Sequence, residues 1–251
     1  MRIITVMFAT LTWLSAGSVL AQQLEHTPRP AGEHSAGYLN GSAMDYSQIL
    51  GPPPAEGSLQ DTVDVAAVKT LQATATPERW TLAESDNSYV YPEFETALGE
   101  TIDRTHTPKL VYLLNNAIHD VGPPTWAAKK AFARRRPYQR WQVSRACGEA
   151  TPPPPTADPD ERSSYPSGHT AYGWTAGLVL AMVAPERSQA ILARADDYGL
   201  SREICGMHFP TDVAAAHALA TAVVTRISAT PEFQKDLAAA QAEYQQAMTP
   251  K

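Results

Sequence analysis

The sequence has few cysteines and fewer basic than acidic residues. Two cysteines in 251 residues are too few for a disulfide-framework protein or a structural zinc site. The 20 lysines and arginines stand against 26 aspartates and glutamates, and a formal charge of −6 argues against a general nucleic-acid-binding protein. Hydrophobic residues make up 43% of the chain, which excludes a disordered protein. We therefore expect a globular domain with no nucleic-acid partner.

Long uncharged runs are also rare, and the first of them is N-terminal. Residues 3–21 carry no charge, follow Arg2 and end in small residues where a signal peptidase could cut. This pattern predicts a signal peptide over residues 1–21, and hence a periplasmic or secreted protein without stable membrane insertion after cleavage. The alternative is an N-terminal membrane anchor, because a run of 19 residues can span a bilayer.

Strand-like alternation is scarce, whereas apolar residues recur at helical spacing from about residue 61 onward. Three faces show this spacing: Leu110, Leu114 and Ile118; Val213, Ala216, Ala220, Val223 and Ile227; and Phe233, Leu237, Ala240, Tyr244 and Met248. Residues 170–184 form an uncharged run of 15, which is short for a membrane span and predicts a buried central helix. The sequence thus predicts an all-α, single-domain helical bundle over residues 61–251.

Proline marks the segments expected to lie outside the helices. Residues 22–60 are rich in Pro, Gly, Ser and Gln and predict an extended Pro-rich lead-in. Residues 151–164 contain five prolines, which exclude a continuous helix and predict an exposed connection.

The two cysteines, Cys147 and Cys205, lie 58 positions apart. In an oxidising compartment they would most simply form one disulfide, because there is no third cysteine. Two buried free thiols are the alternative.

A first polar segment, residues 129–137, carries five cations and ends in Pro137. Alone it is typical of a solvated basic face. Lys129 and Arg136 are seven positions apart, however, which on one helix is two turns and points both side chains the same way. An anion site is therefore the second interpretation.

A second polar segment, residues 165–170, reads YPSGHT directly before the predicted central helix. Helix N-termini bind anions through free N–H groups, and Gly168 would let a ligand approach the backbone closely. Ser167 can cap the helix or donate to the ligand. His169 is placed to reach a bound anion, although a lone histidine at a helix start is usually structural.

A third polar segment, residues 201–212, contains Arg202, His208 and Asp212. The planar fork of Arg202 suits phosphate oxygens. His208 and Asp212 are four positions apart, close enough for the carboxylate to hold an imidazole N–H and make the other nitrogen a better nucleophile or base. A surface ion pair at a helix start is the alternative.

Together the three segments resemble the three-part motif of the phosphatidic acid phosphatase type 2 superfamily. The motif reads K-x6-R-P over residues 129–137, P-S-G-H over 166–169 and S-R-x5-H-x3-D over 201–212. The stretch SSYPSGHT over residues 163–170 is similar to the GSYPSGHT tag of class A bacterial nonspecific acid phosphatases, with Ser163 in place of glycine. The resemblance implies an exported enzyme that hydrolyses small phosphate monoesters and needs no metal or other cofactor.

The resemblance also implies a role for each motif residue. His208, oriented by Asp212, would attack phosphorus and form a phosphohistidine, and His169 would protonate the leaving group. The phosphoryl oxygens would be bound by Lys129, Arg136, Ser167, Gly168 and Arg202. Members commonly form oligomers, which makes a homo-oligomer possible. Two alternatives stay open, a vanadate-dependent haloperoxidase-like enzyme and a non-catalytic phosphate-binding protein.

Overall fold

The computed structural model describes residues 37–88, 90–148 and 163–249, and all regular elements in these ranges are helical. The all-α class is thereby confirmed. The α-helices are α1 (Leu59–Thr74), α2 (Pro77–Ser85), α3 (Glu95–Leu98), α4 (Pro108–Phe132), α5 (Pro137–Arg140), α6 (Gly168–Val183), α7 (Ser188–Ile204), α8 (Pro210–Ser228) and α9 (Pro231–Met248). Short 3-10 helices cover Tyr46–Gln48, Pro92–Phe94 and Pro185–Arg187. The predicted signal peptide, residues 1–21, and most of the predicted connection, residues 151–164, lie outside the described residues.

Proline begins five of these helices, α2, α4, α5, α8 and α9. The first helical position has no intrahelical acceptor for its N–H, so proline loses nothing there and its fixed φ suits the helix. Helix α8 begins at Pro210 and α9 at Pro231, directly before the apolar faces that were expected from the sequence. These sharp starts determine where the loops that carry polar side chains begin and end.

The central helix of the bundle is α6, which packs against α4, α7, α8 and α9. Its apolar side chains are buried on nearly all sides, as its uncharged sequence predicts. Two glycines allow α7 to approach closely. A β-carbon at Gly173 would lie 2.4 Å from Cδ1 of Tyr198, and one at Gly177 would lie 2.5 Å from Cβ of Ala195. The N-terminus of α6 is therefore held firmly within the bundle.

The described part of the lead-in, residues 37–58, lies against the helices. Tyr38 and Leu50 are buried, and the buried carboxylate of Asp120 on α4 accepts a 2.6 Å hydrogen bond from the N–H of Tyr38. Beyond the lead-in, α1 packs on α7 and α8 and so reaches the side of the bundle that carries the third polar segment.

A disulfide joins Cys147 and Cys205, whose Cα atoms are 5.0 Å apart. Both residues are buried, and Cys205 directly follows the end of α7. The bond ties the chain after α5 to the loop that leads to His208. No single helix in the described ranges is long and apolar enough to cross a membrane; only the pair α8 and α9, bent by 94°, meets the combined length and composition.

Candidate active site

The first two polar segments meet where the C-terminal end of α4 lies against the N-terminal end of α6. Lys129, in the last turn of α4, is buried, and its Nζ donates a 2.6 Å hydrogen bond to the carbonyl of Ser163. A β-carbon at Gly168 would lie 3.4 Å from Cε of Lys129, so the lysine stem runs along the start of α6. A glycine at this position leaves room for the lysine beside the helix terminus.

Arg136 reaches the same site by a different route from the one expected. The interpretation that Lys129 and Arg136 share one helix is wrong, because α4 ends at Phe132 and Ala133 adopts a left-handed φ of 46°. Pro137 disfavours helical backbone at the preceding residue, and Arg136 is extended with φ −77° and ψ 161°. The chain turns back, and Nη1 of Arg136 lies 3.4 Å from Nε2 of His208.

Ser167 caps α6, since its Oγ accepts a 3.3 Å hydrogen bond from the N–H of Thr170. Its own N–H donates to the main-chain carbonyl of Asp212 at 3.0 Å, which joins the second and third polar segments. Gly168 and His169 are the first two helical residues, and their N–H groups have no acceptor within the helix. The terminus therefore presents backbone donors and a positive dipole to an anion.

Arg202 lies in the last turn of α7 and is buried. Its Nη1 donates a 3.0 Å hydrogen bond to Oδ1 of Asn87, which holds the guanidinium in place. Its main-chain carbonyl accepts a hydrogen bond from the N–H of His208 at 3.2 Å. One residue thus contributes a cation to the site and also anchors the loop that carries His208.

His208 lies before α8 and is 1% exposed. Its Nδ1 is 2.8 Å from the main-chain carbonyl of Ser164, and a carbonyl can only accept. The hydrogen of the neutral imidazole is therefore assigned to Nδ1, which leaves the lone pair of Nε2 facing Arg136. This tautomer suits a nucleophile aimed at an anion held by the cations.

Asp212 does not hold the imidazole N–H of His208 directly, contrary to the expectation from their spacing. Its Oδ2 is 3.6 Å from Nδ1 of His208, beyond hydrogen-bond distance. The carboxylate oxygens are already occupied: Oδ2 accepts from Oγ of Ser164 at 2.5 Å and from the N–H of Phe209 at 2.7 Å, and Oδ1 accepts from Arg134 at 2.6 Å. Asp212 therefore influences His208 by its charge and through Ser164.

Sequence reasoning missed the roles of Ser164 and Arg134. Ser164 stood within the quoted SSYPSGHT stretch without an assigned function, and Arg134 was included in the basic segment. The structure places Arg134 in the interior, where it contacts Asp212 on α8 and Asp64 on α1. No local signal marks it, because its partners lie 70 and 78 residues away along the chain.

The eight residues predicted for catalysis and phosphate binding thus converge on one site at the start of α6. Comparisons with known proteins identify the family, since a model described as the PAP2 superfamily matches residues 109–235. The chain belongs to the PAP2 superfamily. This match covers all three polar segments.

Curated proteins named as acid phosphatases align along most of the chain, and with the family match they confirm the resemblance to the class A nonspecific acid phosphatases. A protein named non-specific acid phosphatase from Providencia stuartii is 37% identical over 213 residues, covering 82% of this chain and 83% of its own. A non-specific acid phosphatase from Salmonella typhimurium is 32% identical and covers 75% of this chain and 76% of its own. An acid phosphatase from Zymomonas mobilis is 29% identical and covers 80% and 75% respectively.

Burial and nearby positive charges lower the pKa of both histidines in this PAP2 site. Burial, followed by Arg136 and Lys129, lowers the pKa of His208 well below its usual value. Burial, followed by Arg202 and the neighbouring His208, lowers the pKa of His169 likewise. His208 is therefore neutral at pH 7. Among the described residues, no three His, Cys, Asp or Glu side chains lie together so that they could hold a metal ion.

Proposed function

We propose that this acid phosphatase hydrolyses a broad range of small phosphate monoesters through a phosphohistidine on His208, without a metal ion. The observation that carries the proposal is the orientation of His208. Its Nδ1 lies on the carbonyl of Ser164, and its Nε2 faces the cation of Arg136. A phosphoryl group held by that cation would meet the nitrogen lone pair.

In the first step, the phosphoryl oxygens bind to the cations and to the N-terminus of α6. Nε2 of His208 attacks phosphorus, the bond from phosphorus to the ester oxygen breaks, and His169 donates a proton to the departing oxygen. Charge spreads over the three equatorial oxygens in the transition state, so donors fixed around them lower the barrier. The ring of His208 becomes positive, and the carbonyl of Ser164 and the charge of Asp212 stabilise it.

In the second step, water attacks the phosphohistidine on the side that the alcohol has left. His169, now neutral, accepts a proton from the water as the oxygen bonds to phosphorus. The bond between phosphorus and Nε2 of His208 breaks, and inorganic phosphate leaves. His169 then carries the proton that the next substrate requires, so the cycle is balanced.

The lowered pKa of His169 favours activity at acid pH. His169 must be protonated to donate, and its protonated fraction grows as the pH falls toward its lowered pKa. A bound phosphate dianion partly cancels the neighbouring cations and raises the pKa of His169 again. The substrate thus helps to charge its own proton donor.

Independence from metal follows from the positive charge already present. Lys129, Arg136 and Arg202 are buried together, and the α6 terminus adds its dipole. Export to the periplasm or medium is part of the same proposal. The uncharged run over residues 3–21 and the disulfide, a bond typical of oxidising compartments, support it.

His169→Ala tests the assignment of the proton donor. An alkyl leaving group, whose alcohol has a pKa of about 15, needs the proton, whereas nitrophenolate, at about 7, hardly needs it. We expect single-turnover phosphorylation by an alkyl phosphate to fall about 100-fold or more, and that by nitrophenyl phosphate to fall far less. The variant should also accumulate the phosphohistidine, because water attack uses the same imidazole.

Equal losses on the two substrates would show that His169 is not the proton donor. An enzyme releases phosphate from the ester over many turnovers. A protein that only retains the ligand and hydrolyses no ester would instead be a binding protein. His217→Ala is the matched control, because His217 lies on α8 and does not belong to the site. Its ring stacks on that of Trp174, with 4.1 Å between the ring centroids. The His217→Ala variant should show the same change in phosphorylation rate, relative to wild type, on both substrates.

A further inference from the structure

We infer that Arg134 is a positioning residue for the nucleophile, acting on His208 through both Asp212 and Ser164. Arg134 is buried beside the site and bonds to both Asp212 and Ser164, two of the residues that act on the His208 ring. The inference rests on the proposed role of His208.

The side chain of Arg134 joins α1 to the start of α8. Its Nη1 donates to Oδ1 of Asp212 at 2.6 Å, and its Nη2 donates to Oδ2 of Asp64 at 2.8 Å. Nη1 also donates to the hydroxyl of Thr211 at 2.8 Å. The Arg134 side chain is 5% exposed, and neither carboxylate side chain is exposed at all. Such charge-assisted bonds in a buried setting are strong and fix the fork geometry.

The main chain of Arg134 holds the other contact of His208. The carbonyl of Arg134 accepts a 2.7 Å hydrogen bond from the N–H of Ser164, and its N–H donates to Oγ of Ser163 at 2.9 Å. Ser164 in turn donates from Oγ to Asp212 and accepts from Nδ1 of His208. Ser164, whose carbonyl sets the imidazole tautomer, is therefore hydrogen-bonded both to Arg134 and to Asp212, the partner of Arg134.

Arg134 also lies on the residue that follows the nucleophile. Its guanidinium carbon is 4.2 Å from the ring centroid of Phe209, and the N–H of Phe209 donates to Asp212. Asp212 thus holds the N–H of Phe209, and Arg134 packs on its ring. A displacement of about 1 Å at a reacting group can cost about 100-fold in rate, so this support bears directly on phosphoryl transfer.

Arg140 provides a matched control for a substitution at Arg134. It too is an arginine paired with α1, donating to both carboxylate oxygens of Asp61 at 2.6 and 2.9 Å. Its guanidinium carbon lies 5.3 Å from the centroid of the same Phe209 ring. Its guanidinium pairs with Asp61 and Glu56, and Asp61 also lies 3.6 Å from Nη2 of Arg134. Arg140→Gln therefore removes a comparable ion pair and leaves the bonds of Arg134 to Asp212, Asp64 and Ser164 in place.

The experiment compares Arg134→Lys, Arg134→Gln and Arg140→Gln in the full-length protein. We measure the single-turnover rate of phosphorylation, the dissociation constant for inorganic phosphate and the melting temperature. We expect both Arg134 variants to phosphorylate about 10–100-fold more slowly, with phosphate affinity within a few-fold of wild type, because the anion-binding cations are retained. Arg140→Gln should melt earlier and keep its rate within about 3-fold.

Arg134→Lys keeps the buried positive charge and serves if the glutamine variant does not fold. A lysine variant with the wild-type rate would overturn the inference, since a single ammonium cannot reproduce the fork. An equal slowing in Arg140→Gln would overturn it as well, because the loss would then reflect stability alone. If the wild-type protein captured no label on His208, the proposed function itself would have failed, and that result is obtained before any variant is compared.

Discussion

Glu203 has a carboxyl group that the fold keeps neutral, and its removal should stabilise the protein in a pH-dependent way. Glu203 lies in the last turn of α7 and is 7% exposed. Burial, followed by the negative charges of Asp212 and Asp64, raises the pKa of Glu203 to about 8. At pH 7 the folded protein therefore holds a proton on Glu203 that the unfolded chain has released.

The sign and size of the effect follow from this difference in pKa. Between about pH 4.5, the ordinary pKa of the carboxyl, and pH 8, the folded state binds more protons at Glu203, so this residue lowers stability as the pH rises. Each unit of that interval corresponds to about 1.4 kcal/mol. Glu203→Gln, which cannot ionise, should raise the free energy of unfolding by up to about 3 kcal/mol at pH 7 and hardly at all at pH 4.5.

Urea unfolding at pH 4.5, 6 and 7 measures the free energy of unfolding of the variant and of wild type. The histidines contribute to both proteins, so their contributions cancel in the difference. Phosphate is omitted from the buffer because it would stabilise the folded state by binding. Glu232→Gln, at an exposed position in the first turn of α9, is the control, because it removes a carboxyl group that is not buried and should not stabilise the protein at pH 7. A difference for Glu203→Gln that is flat between pH 4.5 and 7, or that favours wild type at pH 7, would refute the reasoning.

Three further predictions concern packing, covalent structure and ions. Gly173→Ala should lower the free energy of unfolding by about 1–3 kcal/mol, because the new methyl meets Tyr198; an unchanged urea midpoint would show that α6 and α7 separate without cost. Unreduced peptides of the native protein should show Cys147 linked to Cys205 by mass spectrometry, and loss of the bond should cost about 4 kcal/mol; two alkylatable thiols would contradict this. EDTA should leave phosphatase activity intact and vanadate should abolish it, whereas activity lost in EDTA and restored by zinc would contradict metal independence.

The parts of the fold that were predictable are those with a strong local cause. The uncharged run over residues 170–184 predicts the central helix, observed as α6, and the prolines at 210 and 231 mark two helix starts. The length of α4 was not predictable in the same way. Its apolar spacing was recognised only near Leu110, and the helix continues through Pro123 and Pro124 because the packed bundle outweighs their local cost.

The sequence motifs predicted which residues form the candidate site, but not the hydrogen bonds and ion pairs among them. The motifs identify the residues because phosphate chemistry requires cations and histidines, and these types stand at fixed positions along the chain. Pro137 disfavours helical backbone at Arg136, so Arg136 was predictable as a residue outside the helix. The seven-residue spacing between Lys129 and Arg136 indicated the opposite. The bonds of Asp212 depend on Arg134 and Ser164, whose positions in space no local pattern specifies. A run of cations looks the same whether it is solvated or buried.

The measurement that tests the central claim most directly is labelling of His208. A substrate carrying labelled phosphate is mixed with excess enzyme, quenched in alkali, in which phosphohistidine survives, and the labelled peptide is identified. We predict that wild-type protein carries the label on His208, that His169→Ala retains it longer, and that His208→Ala carries none. Label captured by the folded His208→Ala protein, or label found on another residue of the wild type, would contradict the mechanism.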